Sequence, residues 1–267
     1  MSIGTKILNK IVSLAQATGG QVEGNKDVTD EMKNLARTTA EEGIVMLKND
    51  GALPLSENDV VAVFGRVQND WFYVGYGSGG DVKPPYKVNL IKGLENEGVK
   101  IDETLKKIYA DWSVKNVPYE GFWGHWPFHF DEMPLSDKVV GEAAKRANKA
   151  IVVIGRAAGE DREQKLEKGS FYLTDEEKKM LSVVTKNFNS TILIIDNGNI
   201  MDLSFIDAYG SALSAALYVW NGGMESGNAV ARVLSGKVNP SGRLPDTIAK
   251  RYNDYPSAKN FGGKKYN

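Results

Sequence analysis

Short apolar runs alternate with amphipathic segments along most of this 267-residue chain. Continuous apolar runs of four to eight residues are typical of strands that are buried on both faces of a sheet. They predict strands at residues 44–47, 60–64, 150–154, 191–195 and 212–220. Because helical segments separate these runs, the pattern predicts a three-layer α/β/α sandwich with a mainly parallel sheet.

The predicted helices carry recognisable start and stop signals. Ser136 is a predicted N-cap, and Thr174 with Glu177 forms a predicted capping box for a helix that continues to Val184. Gly19-Gly20, Gly43 and Gly236 are predicted to end the first, second and last helices, and residues 48–51 are predicted to form a turn. Further helical segments are predicted to begin at Thr29, Asn89, Leu105 and Ser226.

Composition and charge indicate an ordinary folded domain with an uncharged ligand. Hydrophobic residues make up 42% of the chain and charged residues 25%. The 33 basic and 34 acidic residues nearly cancel, which gives no reason to expect nucleic acid or a membrane as partner. The absence of cysteine excludes disulfides, thiolate metal sites and a cysteine nucleophile. Neither a secretory signal nor a membrane-spanning run is visible, so we expect a cytoplasmic protein.

A carboxylate beyond a predicted strand is the first candidate for chemistry. Glu160 lies in residues 159–162, shortly after the strand that is predicted to end at Ile154. Ligands of open α/β sheets bind beyond the carboxyl ends of the strands, where a glutamate is well placed for proton transfer. A Glu-Asp-Arg cluster in a loop is also typical of a solvated ion-pair network.

The glycine-rich residues 75–80 form a second candidate site, because glycine lets the backbone approach a ligand closely. They do not fit a dinucleotide fingerprint, since Asp81 and two prolines precede the next predicted helix. The Lys-Ser/Thr ending of a nucleotide-binding P-loop is also missing.

Residues 119–130 interrupt the alternation with a cluster of aromatic side chains. They hold Phe122, Trp123, Trp126, Phe128 and Phe130, together with His125 and His129. The rings could form a rim that stacks on a sugar, or an apolar plug or docking surface for a neighbouring domain. A metal site at the two histidines is disfavoured, because Pro127 between them opposes the helix that would aim both at one ion.

Six motifs occur in an order that resembles the α/β sandwich domain of the family 3 glycoside hydrolases, the β-glucosidase type. They lie at residues 41–49, 53–55, around Ser78, 159–162, 218–227 and 239–245. The resemblance covers about residues 27–256. It leaves residues 1–26 as an N-terminal accessory helix and residues 257–267 as the start of a linker to a missing domain.

The resemblance implies a retaining hydrolase whose active site is shared with a (β/α) barrel that holds the nucleophile Asp. Glu160 matches the general acid/base, and Ser78 with Gly77 matches the loop that touches the sugar. Asp161 and Arg162 match residues that support the loop. Because this loop is shorter than in many relatives, Glu163 and Glu167 are the alternatives for the acid/base.

The expected substrate is a β-linked glucoside or short oligosaccharide, and the expected partner is the barrel, in the same gene or on a partner chain. No cofactor, metal ion, nucleic acid or membrane is expected. The absence of a barrel upstream resembles the subgroup with reversed domain order, and the isolated chain is expected to be inactive. A non-catalytic sugar-binding or regulatory domain and a nucleotide- or phosphate-binding domain remain as alternatives.

Overall fold

A computed structural model describes residues 27–77, 84–119, 121, 125–160 and 164–259 of the chain. The predicted N-terminal helix and most of the predicted linker lie outside the described residues. So do residues 78–80 of the glycine-rich loop, which include Ser78, and Asp161, Arg162 and Glu163 of the loop after the third predicted strand.

The described residues form one mainly parallel sheet with the strand order β1-β6-β5-β4-β2-β3. The strands are β1 (Val45–Asn49), β2 (Val60–Phe64), β3 (Lys100–Ile101), β4 (Lys149–Arg156), β5 (Thr191–Asn197) and β6 (Leu213–Tyr218). Only the pairing of β1 with β6 is antiparallel among these neighbours. The predicted α/β class is therefore confirmed.

Helices cover both faces of the sheet. They are α1 (Asp30–Gly43), α2 (Leu90–Asn96), α3 (Glu103–Lys115), α4 (Asp137–Arg146), α5 (Asp175–Asn187), α6 (Phe205–Ala208) and α7 (Ser226–Leu234). Alternate residues of the central strands point to opposite faces, so Val61 and Ile151 join one apolar cluster while Phe64 and Val152 join the other. The first cluster lies under α2 and α7, and the second under α3, α4 and α5.

Local capping explains where several helices begin. The Ser136 hydroxyl accepts a hydrogen bond from the Val139 amide at 3.4 Å. The Glu177 amide donates to the Thr174 hydroxyl at 3.0 Å, and the Glu177 carboxylate accepts from the Thr174 amide at 2.8 Å. Both arrangements satisfy amides that have no partner within the helix, which confirms the predicted caps.

The strand ends differ from the predictions where polar residues are buried. β4 continues to Arg156 and β5 to Asn197, because these two buried residues pair with each other at the carboxyl ends of the strands. The first strand includes Lys48 and Asn49, predicted as a turn, because both pair with β6. β6 is shorter than predicted at both ends, and the two-residue β3 was not predicted at all.

The order of the strands places a topological switch point between β2 and β4. The chain leaves β2 towards α2 on one face and leaves β4 towards α5 on the opposite face. The two strands are neighbours in the sheet. Connections that diverge from adjacent carboxyl ends open a crevice, and this is where open α/β sheets bind ligands.

Candidate active site

The loops that follow β2 and β4 are joined by backbone hydrogen bonds in this crevice. The Tyr76 amide donates to the Ala158 carbonyl at 2.7 Å, and the Glu160 amide donates to the Tyr76 carbonyl at 3.0 Å. Tyr76 and Gly159 thereby form an isolated parallel bridge. Glu160 is exposed at the end of this bridge.

Gly77 lies directly against Glu160, so two of the residues singled out by sequence are neighbours in the structure. A Cβ atom at position 77 would lie 2.5 Å from the Glu160 Cβ and 3.0 Å from its Oε2. Gly77 also has a φ of +121°, which disfavours any residue with a side chain. By contrast, Glu167 lies on the exposed surface of the same loop, in a turn where its carbonyl accepts from the Ser170 amide.

A buried carboxylate that the sequence analysis missed holds the loop after β2 in place. Asp196, in β5, accepts hydrogen bonds from the Phe72 amide at 2.8 Å and the Asn221 side-chain amide at 3.1 Å. Burial raises the pKa of Asp196 well above its ordinary value. Its position directly after the apolar run 191–195 is the same signal that identified Glu160, and it could have been used here.

Two rings of the aromatic segment pack against the loop after β2. Trp126 stacks on Tyr76 with 5.4 Å between ring centroids, and Phe130 stacks on Phe72 at 4.7 Å. Trp126 is buried. These contacts favour the packing interpretation for Trp126 and Phe130, while Phe122 and Trp123 lie outside the described residues.

Comparisons with known proteins show the family and the fold of this chain. Residues 44–267 match the sequence model of the glycosyl hydrolase family 3 C-terminal domain. The chain belongs to glycosyl hydrolase family 3. A β-glucosidase of Ruminococcus albus is 44% identical over 238 residues, which are 88% of this chain and 25% of that protein.

Solved structures of β-glucosidases share the fold. The β-glucosidase of Paenibacillus barengoltzii matches with a TM-score of 0.86 and 41% identity, covering 89% of this chain and 26% of that one. β-Glucosidase 3B of Thermotoga neapolitana in complex with α-D-glucose matches with a TM-score of 0.78 and 33% identity, covering 87% and 33%. The resemblance to the β-glucosidase sandwich domain is confirmed, and this chain spans about a quarter to a third of these relatives.

A cluster of charged side chains lies directly after β2 in this family 3 domain. The Arg66 guanidinium donates to Asp70 at 2.8 Å and lies 4.7 Å above the Trp112 ring. Glu132 accepts from the Arg66 amide and the Met133 amide, both at 2.7 Å. Although part of Glu132 remains exposed, burial of its carboxylate raises its pKa to about 8.

In the described part of the family 3 domain, no helix is long and apolar enough to cross a membrane.

The raised pKa of Glu132 predicts that the domain loses stability as the pH rises. Between the ordinary value of 4.5 and about 8, the folded state binds more protons than the unfolded state. This contribution is fully present below 4.5 and is lost as the pH rises through about 8. We expect the free energy of unfolding to fall by at most about 4 kcal/mol between about pH 5 and pH 9, and by less in so far as water reaches the partly exposed side chain.

Urea unfolding of the wild type and Glu132→Gln at both pH values measures this dependence. The variant should show a smaller fall. Glu176→Gln, at an exposed glutamate that lines one cavity together with Glu132, should keep the wild-type fall. An unchanged fall in Glu132→Gln would assign the pH dependence to other groups, of which Asp196 is the first.

Proposed function

We propose that this chain is the sandwich domain of a retaining β-glucoside hydrolase and that Glu160 is its general acid/base. The observation that carries the proposal is the contact of Glu160 with Gly77 in the crevice between β2 and β4. Relatives that match this chain are named β-glucosidases, and one was solved in complex with α-D-glucose.

Retaining hydrolysis needs two carboxyl groups about 5 to 5.5 Å apart, one to attack the anomeric carbon and one to protonate the leaving oxygen. Glu160 supplies one of them in this proposal. The other, an aspartate nucleophile, belongs to a barrel domain within the portion of the relatives that this chain does not span. The same glutamate then removes a proton from the water that releases the sugar.

The exposure of Glu160 supports a site that is completed by docking. An acid at this position must keep its proton near the working pH, and a solvated carboxylate does not. A barrel that covers the crevice would remove water from Glu160 and place a second carboxylate beside it, and both effects favour the protonated form. Glu160 would then donate to the leaving oxygen.

The neighbouring residues take supporting roles in this proposal. Gly77 and Ser78 form the loop that touches the sugar, and Asp161 with Arg162 supports the loop that carries Glu160. Glu163 and Glu167 remain the alternatives for the acid/base. The proposed domain spans residues 27–256, preceded by an accessory helix in residues 1–26 and followed by a linker in residues 257–267.

The first test is hydrolysis of 4-nitrophenyl β-D-glucoside by the chain alone and with a family 3 barrel domain supplied as a second chain. We expect no turnover by either chain alone and measurable turnover by the mixture, because each supplies one carboxyl group. Turnover by this chain alone would place a complete site within it. Tight glucose binding by the chain with no turnover in the mixture would favour a sugar-binding domain instead.

A further inference from the structure

A buried arginine lies at the base of the loop that carries Glu160. Arg156 is the last residue of β4, and only 1% of its side chain is exposed. Its guanidinium donates to both carboxylate oxygens of Glu177, at 2.6 and 2.7 Å. A two-pronged contact of this kind fixes the orientation of both side chains, which a single charge contact does not.

The same guanidinium also holds the far side of the loop. It donates to the carbonyl of Ser170 at 3.1 Å and to that of Tyr172 at 3.3 Å, where the chain returns towards α5. Glu177 in turn accepts from the Thr174 amide at 2.8 Å at the start of α5. One ion pair therefore ties together the end of β4, the returning chain and the first turn of α5.

The electrostatics of the pair agree with a permanently ionised contact. Burial alone would raise the pKa of Glu177, but the Arg156 charge and hydrogen bonds lower it below its ordinary value. Buried ion pairs give little net stability compared with apolar residues of the same size. A gain in stability therefore explains poorly why an ion pair is buried here. The need to fix a loop next to a reacting group explains it.

We propose that Arg156 and Glu177 are positioning residues that hold the Glu160 loop in the geometry needed for proton transfer. This inference rests on the proposed acid/base role of Glu160. The backbone contact of Ala157 with the Phe128 carbonyl, at 2.7 Å, and that of Glu160 with Tyr76 fix the outgoing side of the loop. The ion pair fixes its returning side.

An ion pair of the same two-pronged geometry, whose arginine is 35% exposed, lies at the opposite edge of the sheet and provides the control. Arg146 donates to both carboxylate oxygens of Asp102, at 2.9 and 2.8 Å. Asp102 is buried, and its amide donates to Val61 near the beginning of β2. Arg146→Lys removes the same two-pronged geometry as Arg156→Lys, but far from Glu160.

The test compares substrates that do and do not need an acid, using this chain with the barrel supplied. A poor leaving group such as the glucose of cellobiose requires protonation, whereas 2,4-dinitrophenolate leaves without it. For Arg156→Lys we expect kcat/KM for cellobiose to fall about tenfold to a hundredfold, and for the dinitrophenyl glucoside less than about threefold. Arg146→Lys should change both values equally or not at all.

Glu160→Gln, measured in parallel, separates this inference from the proposed function. If Glu160→Gln lacks the dependence on the leaving group, the acid/base assignment fails. If the loss in kcat/KM depends on the leaving group in Glu160→Gln but not in Arg156→Lys, Glu160 is the acid and the proposed positioning role of Arg156 is wrong.

A second variant is used in case Arg156→Lys does not fold. The double variant Arg156→Met, Glu177→Gln removes both charges. The glutamine keeps a side-chain oxygen that can accept the hydrogen bond from the Thr174 amide. A folded double variant, identified by a cooperative thermal transition, should show the same selective loss on cellobiose. Equal losses on both substrates would show that the pair has only a structural role.

Discussion

With a barrel domain supplied, Glu160→Gln should lower kcat/KM for cellobiose by about 10² to 10⁴-fold, because glutamine cannot donate the proton that the proposed mechanism requires of residue 160. Glutamine has nearly the same shape as glutamate, so the packing against Gly77 should be kept. The same change should affect the dinitrophenyl glucoside much less in kcat/KM. Steady-state kinetics with the two substrates measure both effects.

The release step gives an independent signature for the same substitution. Without a general base, the glycosyl-enzyme of Glu160→Gln should react slowly with water. Added azide should restore turnover of this variant, because an anion attacks the glycosyl-enzyme without a general base. Glu167→Gln serves as the control, since Glu167 is exposed in the same loop and is one of the alternatives for the acid/base. A selective loss in Glu167→Gln with none in Glu160→Gln would move the acid/base to Glu167.

Gly77→Ala should lower both activity and stability, because two independent constraints require glycine at this position. The backbone has a φ of +121°, and the new Cβ would lie 2.5 Å from the Cβ of Glu160. We expect a loss of about 1 to 3 kcal/mol in the free energy of unfolding from the strained backbone and the clash. Displacement of Glu160 should lower kcat/KM by about tenfold to a hundredfold.

Gly98→Ala separates the backbone strain from the clash with Glu160. Gly98 has a φ of +73°, and a Cβ there would meet no atom within 4 Å. This control should lose about 1 kcal/mol of stability and no activity. Urea unfolding measures the loss of stability in both variants, and cellobiose kinetics measure the loss of kcat/KM. Equal kcat/KM values for the two variants would show that the contact with Glu160 has no functional importance.

Where the signals are local, the sequence predicted the fold closely. The strand Val60–Phe64 and the helix Ser226–Leu234 have the predicted limits, because an apolar run and a helical face are each read within one segment. The capping box of Thr174 and Glu177 is equally local, since both partners lie in one turn. Elements of this kind depend little on the rest of the molecule.

Strand ends and very short strands escaped prediction because distant residues decide them. A charged residue such as Arg156 normally marks the end of a buried strand, yet here Glu177 on α5 neutralises it inside the protein. The two residues of β3 carry no periodicity of their own and become a strand only by pairing with β2. In both cases the deciding partner is remote in sequence.

By itself the sequence determined the α/β class, the positions of most elements and the selection of Glu160 and Gly77 as candidate site residues. Only the tertiary structure decided that these two residues touch, because adjacency of β2 and β4 follows from the packing of the whole sheet. Packing likewise brought Asp196 to the Phe72 amide and Arg156 to Glu177. Periodicity reports which face of an element is buried, whereas long-range packing determines which buried faces and polar ends meet.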